Sequence, residues 1–127
     1  MEHGGRSTLT TLMALKVRRE RNIRAALALL DQRETALLAD KAALLDERRA
    51  LWNAWRTCIA VDGVHDHASL QMLKHELAGY HHRDQTLVDR VELVDAQCTE
   101  LRLERDQQRA LLRRAQIDHE KLKTLLE

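Results

Sequence analysis

Aromatic residues and proline are nearly absent from this chain. It contains no Phe, one Tyr, two Trp and no Pro in 127 residues, and 32% of its residues are charged. Little apolar material is therefore left for a globular core. Leu, Ala, Arg, Glu and Asp are abundant instead, which is the composition of long helices. The composition argues against a compact globular domain and predicts an all-α protein.

Long hydrophobic runs are also missing. No segment approaches the roughly 18 apolar residues of a membrane span, and the first residues lack the apolar block of a signal peptide. We therefore predict a cytoplasmic protein with no direct membrane insertion.

Motifs for catalysis or cofactor binding do not occur. There is no Gly-rich phosphate loop, nucleophile elbow or carboxylate dyad, and long helices alone form no pocket that excludes water. We predict no enzymatic activity and no cofactor. Asp62, His65, Asp66 and His67 could ligate a metal ion, but no second pair of ligands accompanies them, so a solvated turn is the favoured interpretation.

Two ladders of residues spaced alternately three and four apart dominate the chain, and this spacing is typical of a coiled-coil seam. In the second half, thirteen of seventeen ladder positions are apolar: Leu70, Leu73, Leu77, Tyr80, Asp84, Leu87, Val91, Val94, Cys98, Leu101, Arg105, Gln108, Leu112, Ala115, His119, Leu122 and Leu126. The first half carries a more polar ladder: Leu9, Met13, Lys16, Glu20, Ile23, Leu27, Leu30, Glu34, Leu37, Lys41, Leu44, Arg48, Leu51, Trp55 and Cys58.

The two ladders predict one domain, a long antiparallel two-helix coiled-coil hairpin. Helix one is expected at about 7–62, the turn at about 63–66 and helix two at about 67–126. Ser7 or Thr8 is the expected cap of helix one, and Asp66 or Ser69 that of helix two. Gly63 suits the left-handed residue that ends a helix, with Val64 touching Ile59. Arms of this length at ~1.5 Å per residue predict a rod on the order of 85 Å long.

Placing Cys58 opposite Leu70 sets the expected register. It pairs Trp55 with Leu73, Leu51 with Leu77, Arg48 with Tyr80 and Leu44 with Asp84. Cys58 and Cys98 are then roughly 40 Å apart at ~1.5 Å per residue, so no disulfide is expected between them.

Two tryptophans lie one turn apart on helix one. Trp55 belongs to the ladder and is expected to be structural, whereas Trp52 lies beside it and has the composition of an interface residue. Leu38, Leu45 and Trp52 form an apolar column next to the ladder. This column indicates either a surface for a partner or a slight local rotation of helix one.

Charge is unevenly distributed. The predicted register brings residues 16–24 beside 102–114, where ten basic residues face three acidic ones and form a basic collar, whereas residues 61–101 carry three basic and eight acidic residues. The collar suits a solvated face, an acidic protein partner or nucleic acid. Because Trp52, Trp55 and Tyr80 lie far from it, no stacking platform accompanies the charge, and nucleic acid is the least favoured partner.

The order of these segments resembles a known family. An Arg-rich opening (Leu15-Lys-Val-Arg-Arg-Glu-Arg), Ala/Leu heptads, a Leu-Trp segment before a short turn and returning Arg/Gln-rich heptads are similar to the stalk proteins of type III secretion. These are called FliJ in flagella and YscO or SctO in injectisomes, and the injectisome branch is the nearer resemblance.

The resemblance implies a cytoplasmic hairpin at the secretion apparatus that touches a hexameric export ATPase and an export gate protein, with export chaperones as a further class of partner. The ATPase-facing residues expected from the collar are Arg18, Arg19, Arg21, Arg24, Arg105, Arg109 and Arg113. The gate-facing residues implied by the turn-side position are Arg48, Trp52, Trp55, Leu73, Leu77 and Tyr80. The function expected is thus a non-enzymatic ATPase stalk. The alternative is a generic coiled-coil scaffold that assembles as a dimer or four-helix bundle.

Overall fold

The chain forms two long helices that pack against each other as an all-α antiparallel hairpin. The computed structural model describes residues 2–60 and 66–127, with side chains from residue 4 onward. Helix α1 is Glu2–Ile59 and helix α2 is His67–Leu126. No strand occurs in these two ranges. Neither helix has a stretch that is long and apolar enough to cross a membrane.

The ends of the helices differ in part from the prediction. Ser7 and Thr8 lie inside α1, and the Thr8 hydroxyl donates to the Gly4 carbonyl at 2.8 Å, so the expected cap at these residues is wrong. At the start of α2, Asp66 is the cap, because its Oδ1 accepts from the Ser69 amide at 2.7 Å. That backbone hydrogen bond lowers the pKa of Asp66. The expected stop at Gly63 and Val64, and the candidate metal ligands Asp62 and His65, lie outside the described residues.

The two ladders lie between the helices, as predicted. All fifteen ladder positions of α1 are buried or half-buried, and so are sixteen of the seventeen on α2; Leu70, at 41% exposure, is the exception. The three-and-four spacing therefore identified the packed face of each helix correctly.

The predicted register, by contrast, is wrong by about one heptad. Trp55 stacks on Tyr80 where Leu73 was expected, and Cys58 contacts Glu76 where Leu70 was expected. Arg48 likewise pairs with Asp84, beyond the expected Tyr80. Each residue of α1 thus meets a partner further along α2. A slide of seven residues leaves a heptad pattern in phase, so the apolar positions alone cannot distinguish the two registers.

Charged ladder positions explain which register forms. The predicted register would have set the five charged ladder residues of α1 against uncharged ones: Lys16 against Leu112, Glu20 against Gln108, Glu34 against Val94, Lys41 against Leu87 and Arg48 against Tyr80. In the structure each meets an ionisable partner at 2.7–3.4 Å: Lys16 with Asp118, Glu20 with His119, Glu34 with Arg105, Lys41 with Asp95 and Arg48 with Asp84. Leaving a half-buried charge unpaired is costly, so these five pairs favour the observed register.

The chain divides into two compact units, to which both helices contribute. Unit 1 comprises Met1–Thr35 and Thr99–Glu127, and unit 2 comprises Ala36–Cys98. In unit 1 the buried residues are Ile23, Leu30, Leu101 and Ala115. In unit 2 a core of Leu44, Leu87, Val94 and Cys98 is packed by Leu37, Leu51 and Val91. Both cysteines are free thiols, in agreement with the prediction.

Candidate protein-interaction surfaces

Asp84 organises the first candidate surface, which lies in unit 2. Its Oδ1 accepts from Arg48 Nε at 2.8 Å and from Trp52 Nε1 at 2.7 Å. The Arg48 guanidinium also lies over the Trp52 ring, 4.4 Å from the ring centre. Three residues from two helices are therefore fixed by hydrogen bonds and a cation–π contact. We call Arg48, Trp52 and Asp84 the Asp84 cluster.

Electrostatics in the Asp84 cluster favour the ionised forms. The hydrogen bond from Arg48 lowers the pKa of Asp84 below its ordinary value, and the Trp52 hydrogen bond acts in the same direction. The same contact with Asp84 raises the pKa of Arg48. The pair is thus charged at neutral pH.

Aromatic packing continues from the Asp84 cluster along the ladder. The rings of Trp55 and Tyr80 stack with centres 6.2 Å apart and an interplanar angle of 11°, and the Arg83 guanidinium lies 4.6 Å from the Tyr80 ring centre. His81 packs edge-on against Trp55 at 6.3 Å. Trp55 is half-buried and packs against residues of the other helix, as expected for a ladder residue.

The six predicted gate-facing residues all belong to unit 2. Trp52 is the exposed one among them, whereas the other five are half-buried ladder residues: Arg48, Trp55, Leu73, Leu77 and Tyr80. Trp52 is 41% exposed, in line with a role in binding, which remains a prediction. Its hydrogen bond to Asp84 gives Trp52 a structural role that the sequence did not indicate. Asp84 itself was absent from the predicted site, although an unexplained acid on an apolar ladder was a signal for it.

An apolar stripe runs along α1 in unit 2, directly beside the packed ladder. Leu38, Leu45, Trp52 and Ile59 recur every seven residues and are 45%, 39%, 41% and 60% exposed. The neighbouring ladder residues remain packed, Leu44 at 7% exposure among them. The stripe is thus an additional surface, and a local rotation of α1 does not account for it. A shallow hollow of about 220 Å³ borders it at Trp52, Trp55, Arg56 and Ile59.

The predicted ATPase-facing residues all belong to unit 1. Six of the seven are exposed: Arg18, Arg19, Arg21, Arg24, Arg109 and Arg113. Arg105 differs, because its side chain is only 18% exposed and its guanidinium lies 3.0 Å from Glu34 and 3.6 Å from Asp31. The Glu34 hydrogen bond raises the pKa of Arg105, and the same bond lowers that of Glu34. Arg105 therefore forms ion pairs between the helices and is not one of the exposed arginines.

The observed register also changes the basic collar. Lys16 meets Asp118 and Glu20 meets His119, while Arg102 and Arg105 both meet Glu34. The expected alignment of five basic residues from each helix at one level is therefore wrong. Unit 1 as a whole still carries fourteen basic and ten acidic residues, net +4, against net −3 in unit 2.

No cluster of three or more potential metal ligands occurs in the part of the chain that the structure describes. Comparison with known protein families, with curated proteins and with solved structures finds no match to this chain.

Proposed function

We propose that this protein is a non-enzymatic stalk of a type III secretion export ATPase, which links the ATPase ring to the export gate at the cytoplasmic face of the apparatus. The observation that supports this most directly is the antiparallel hairpin with two different exposed surfaces. One is the arginine-rich surface of unit 1, and the other is the apolar stripe with the Asp84 cluster in unit 2. The resemblance in segment order points the same way. Export chaperones belong to the proposal as a further class of partner.

Unit 1 is the proposed ATPase contact because its exposed arginines have few competing partners. Arg18 and Arg21 on α1, and Arg109 and Arg113 on α2, are exposed. An acidic or polar lumen of an ATPase ring would be complementary to them, and charges of this kind chiefly set the association rate and its dependence on salt. We omit Arg105 from this surface because Glu34 and Asp31 engage it.

Unit 2 is the proposed gate contact. A partly exposed Trp held in place by Asp84 loses little conformational freedom on binding, and rigid aromatic residues of this kind often dominate interface energies. Trp52 is therefore the gate-facing residue with the strongest structural support, and Arg48 holds it in position.

The test is stimulation of a hexameric secretion ATPase by the purified chain. We expect the wild type to co-purify with the ATPase and raise its turnover. Reversal of four exposed arginines in unit 1 should abolish the stimulation and make residual binding less sensitive to salt: Arg18→Glu, Arg21→Glu, Arg109→Glu and Arg113→Glu. Circular dichroism should still show a helical protein.

A matched control separates this surface from net charge. Four exposed basic residues of unit 2 are reversed together: Arg49→Glu, Lys74→Glu, Arg83→Glu and Arg90→Glu. This control should stimulate the ATPase like the wild type. If the unit 1 variant also stimulates normally, its arginines are a solvated face. If the wild type neither binds nor stimulates, the alternative of a generic coiled-coil scaffold is favoured.

A further inference from the structure

Exposed leucines lie on one side of the ladder in unit 1. In an antiparallel coiled coil, the positions directly before a ladder residue lie on the same side of the hairpin in both helices. A groove of about 540 Å³ in unit 2 shows this, because its lining includes five such positions: Glu47, Ala54, Arg83, Thr86 and Arg90. In unit 1, four such positions hold leucines that are 40–68% exposed: Leu12, Leu15, Leu111 and Leu125.

Three exposed cations share this side of unit 1 with the leucines. Each of them directly precedes a ladder residue, and none forms an ion pair in the part of the chain that the structure describes: Arg19, Arg114 and Lys121. The acid on this side at the same level, Asp118, is engaged by Lys16 at 3.4 Å. We call the four leucines and these three cations the cationic leucine face.

The other side of the ladder in unit 1 differs from this face. Among residues 8–25 and 108–125, the positions directly after a ladder residue hold no leucine. Four of the proposed ATPase contacts lie at such positions: Arg21, Arg24, Arg109 and Arg113. Unit 1 thus has a basic side and a side that is both basic and apolar, and the two sides suit different partners.

We propose that unit 1 binds the surface of an anionic lipid bilayer through the cationic leucine face. Such a surface carries phosphate charges directly above an apolar layer, so it pairs with the cations and covers the leucines at the same time. A free phosphate would satisfy only the cations and leave the leucines in water. The contact is peripheral, with the leucines at the boundary of headgroups and acyl chains and the long basic side chains at the phosphates.

The charge around the face favours a negative surface. Residues 8–22 and 111–125 together carry eight basic and three acidic residues. Besides Asp118, the acids are Glu20, which bonds to His119 at 2.7 Å, and Glu120, which follows a ladder residue and lies on the other side. Unit 1 as a whole has a net charge of +4, whereas unit 2, at −3, is repelled by an anionic surface.

The extent of the face suits a flat partner. Leu111 and Leu125 are two heptads apart on α2, about 21 Å at ~1.5 Å per residue. The Lys16–Asp118 pair lies halfway between them, so Leu12 and Leu15 of α1 fall at levels within this length. An extended plane therefore reaches all seven residues at once, from both helices.

The first experiment is co-sedimentation of the full chain with large vesicles. We expect binding to vesicles of equal parts phosphatidylcholine and phosphatidylglycerol, and much weaker binding to phosphatidylcholine alone. Added salt should weaken the binding because it screens the charges. Inorganic phosphate should displace the protein no better than chloride at the same ionic strength, because it cannot cover the leucines.

Two variants separate the charges of the face from its leucines. Arg19→Gln, Arg114→Gln and Lys121→Gln together should weaken binding to the anionic vesicles on the order of a hundredfold, since each basic residue at such a surface contributes about fivefold. Leu15→Gln with Leu125→Gln should weaken it by about tenfold or more, because less apolar area leaves water. These leucines are 55% and 68% exposed, so circular dichroism should show unchanged helix content.

Matched controls place the same kinds of substitution in unit 2. Met72→Gln with Leu93→Gln changes two side chains that are 67% and 60% exposed. Arg49→Gln, Lys74→Gln and Arg90→Gln together remove three exposed cations. Both controls should bind the anionic vesicles within about twofold of the wild type, because charges beyond a Debye length are largely screened.

The second experiment locates the contact with a polarity-sensitive fluorophore on single cysteines in a Cys58→Ala background. Cys98 is 3% exposed and should stay unlabelled. On anionic vesicles, a label at Leu15→Cys should shift its emission to the blue and gain intensity, whereas a label at Leu93→Cys should not change. The opposite pattern would overturn the assignment to unit 1.

A wild-type chain that does not bind the anionic vesicles, or that binds both kinds of vesicle equally, would overturn the proposal. Displacement by inorganic phosphate, or full binding by the leucine variant, would overturn it too, because the leucines would then have no part in the contact. The inference does not rest on the stalk proposal. ATPase stimulation is measured without lipid and tested at four arginines outside this face, so failure of either proposal is distinguishable from failure of the other.

Discussion

Asp84→Asn tests the Asp84 cluster directly. The substitution keeps the size of the side chain and one oxygen acceptor, but it removes the charge that holds Arg48 at 2.8 Å and strengthens the bond from Trp52 at 2.7 Å. The Asp84 and Arg48 side chains are 17% and 29% exposed, so water compensates only in part. Charge-assisted hydrogen bonds contribute about 1.5–3 kcal/mol when shielded, and with this exposure we expect a loss of about 1–2 kcal/mol of unfolding free energy.

Urea unfolding of wild type and variant between pH 7 and pH 2 supplies the measurement. Because the folded-state pKa of Asp84 is lowered, its carboxylate stabilises the fold above the unfolded pKa of about 3.9, and this contribution is lost as the pH falls through the folded value. The difference in unfolding free energy between wild type and Asp84→Asn should therefore be constant near neutral pH and should become smaller as the pH is lowered.

The control for this measurement is Asp46→Asn. Asp46 pairs with Arg49 at 3.3 Å, but both side chains are more than 70% exposed, so this variant should lose less than about 0.5 kcal/mol at any pH. Equal losses of unfolding free energy for the two variants, or a difference at Asp84 that does not shrink as the pH is lowered, would refute the reasoning.

Three further predictions concern the packing of the hairpin. Leu87→Ala, at a site with 5% exposure, should lose about 2–4 kcal/mol of unfolding free energy, whereas Leu93→Ala, at 60% exposure, should lose less than about 0.5 kcal/mol in the same urea titration. Gly79→Ala should raise the melting temperature, since apart from its chain neighbours and the adjoining backbone of α2 no atom lies within 4 Å of the added Cβ, and Ala stabilises a helix by about 0.5–1 kcal/mol over Gly. Lys41→Asp and Asp95→Lys should each destabilise the protein, and the double exchange should recover part of the loss; no recovery would argue against the observed register.

The face of each helix that packs against the other helix could be predicted from the sequence, because hydrophobic spacing is a local property. Each ladder position depends only on residues three and four away, and long, regular ladders leave little ambiguity. The absence of Pro and the cap at Asp66 were local signals of the same kind, and both correspond to the observed helices. The cap expected at Ser7 or Thr8 failed because α1 already begins upstream, where hydroxyls in the first turns donate to carbonyls four residues back.

The register could not be derived from the apolar positions, because two heptad patterns remain in phase after a slide of seven residues. Part of the missing information was present in charged residues on and beside the ladders. Each charged residue of α1 needs an ionisable partner on α2, and the slide to the observed register supplies one at all five positions. The predicted basic collar was wrong for the same reason, because it depended on which residues of α1 and α2 lie side by side.

The candidate site was predictable only in part. Trp52 stands out by composition, but its hydrogen bond to Asp84 depends on the register, and Asp84 was expected opposite Leu44. The sequence indicated only an interface residue at Trp52, whereas this hydrogen bond gives it a structural role as well. Loss of its bond to Asp84 adds a structural cost to any effect on binding, so a binding assay of Trp52→Ala needs a stability measurement beside it.

The same charges that fix the register also bear on how this protein could recognise a partner. Charged residues at five ladder positions of α1 remove apolar area from the contact between the helices, and half-exposed ion pairs return little stability in exchange. These ion pairs favour one register among the several that packing of the leucines alone would allow. With the register fixed, Asp84 of α2 meets Arg48 and Trp52 of α1. The hydrogen bond that holds the exposed Trp52 ring therefore depends on the register, so a register change should alter partner binding at Trp52 even where no surface residue is replaced.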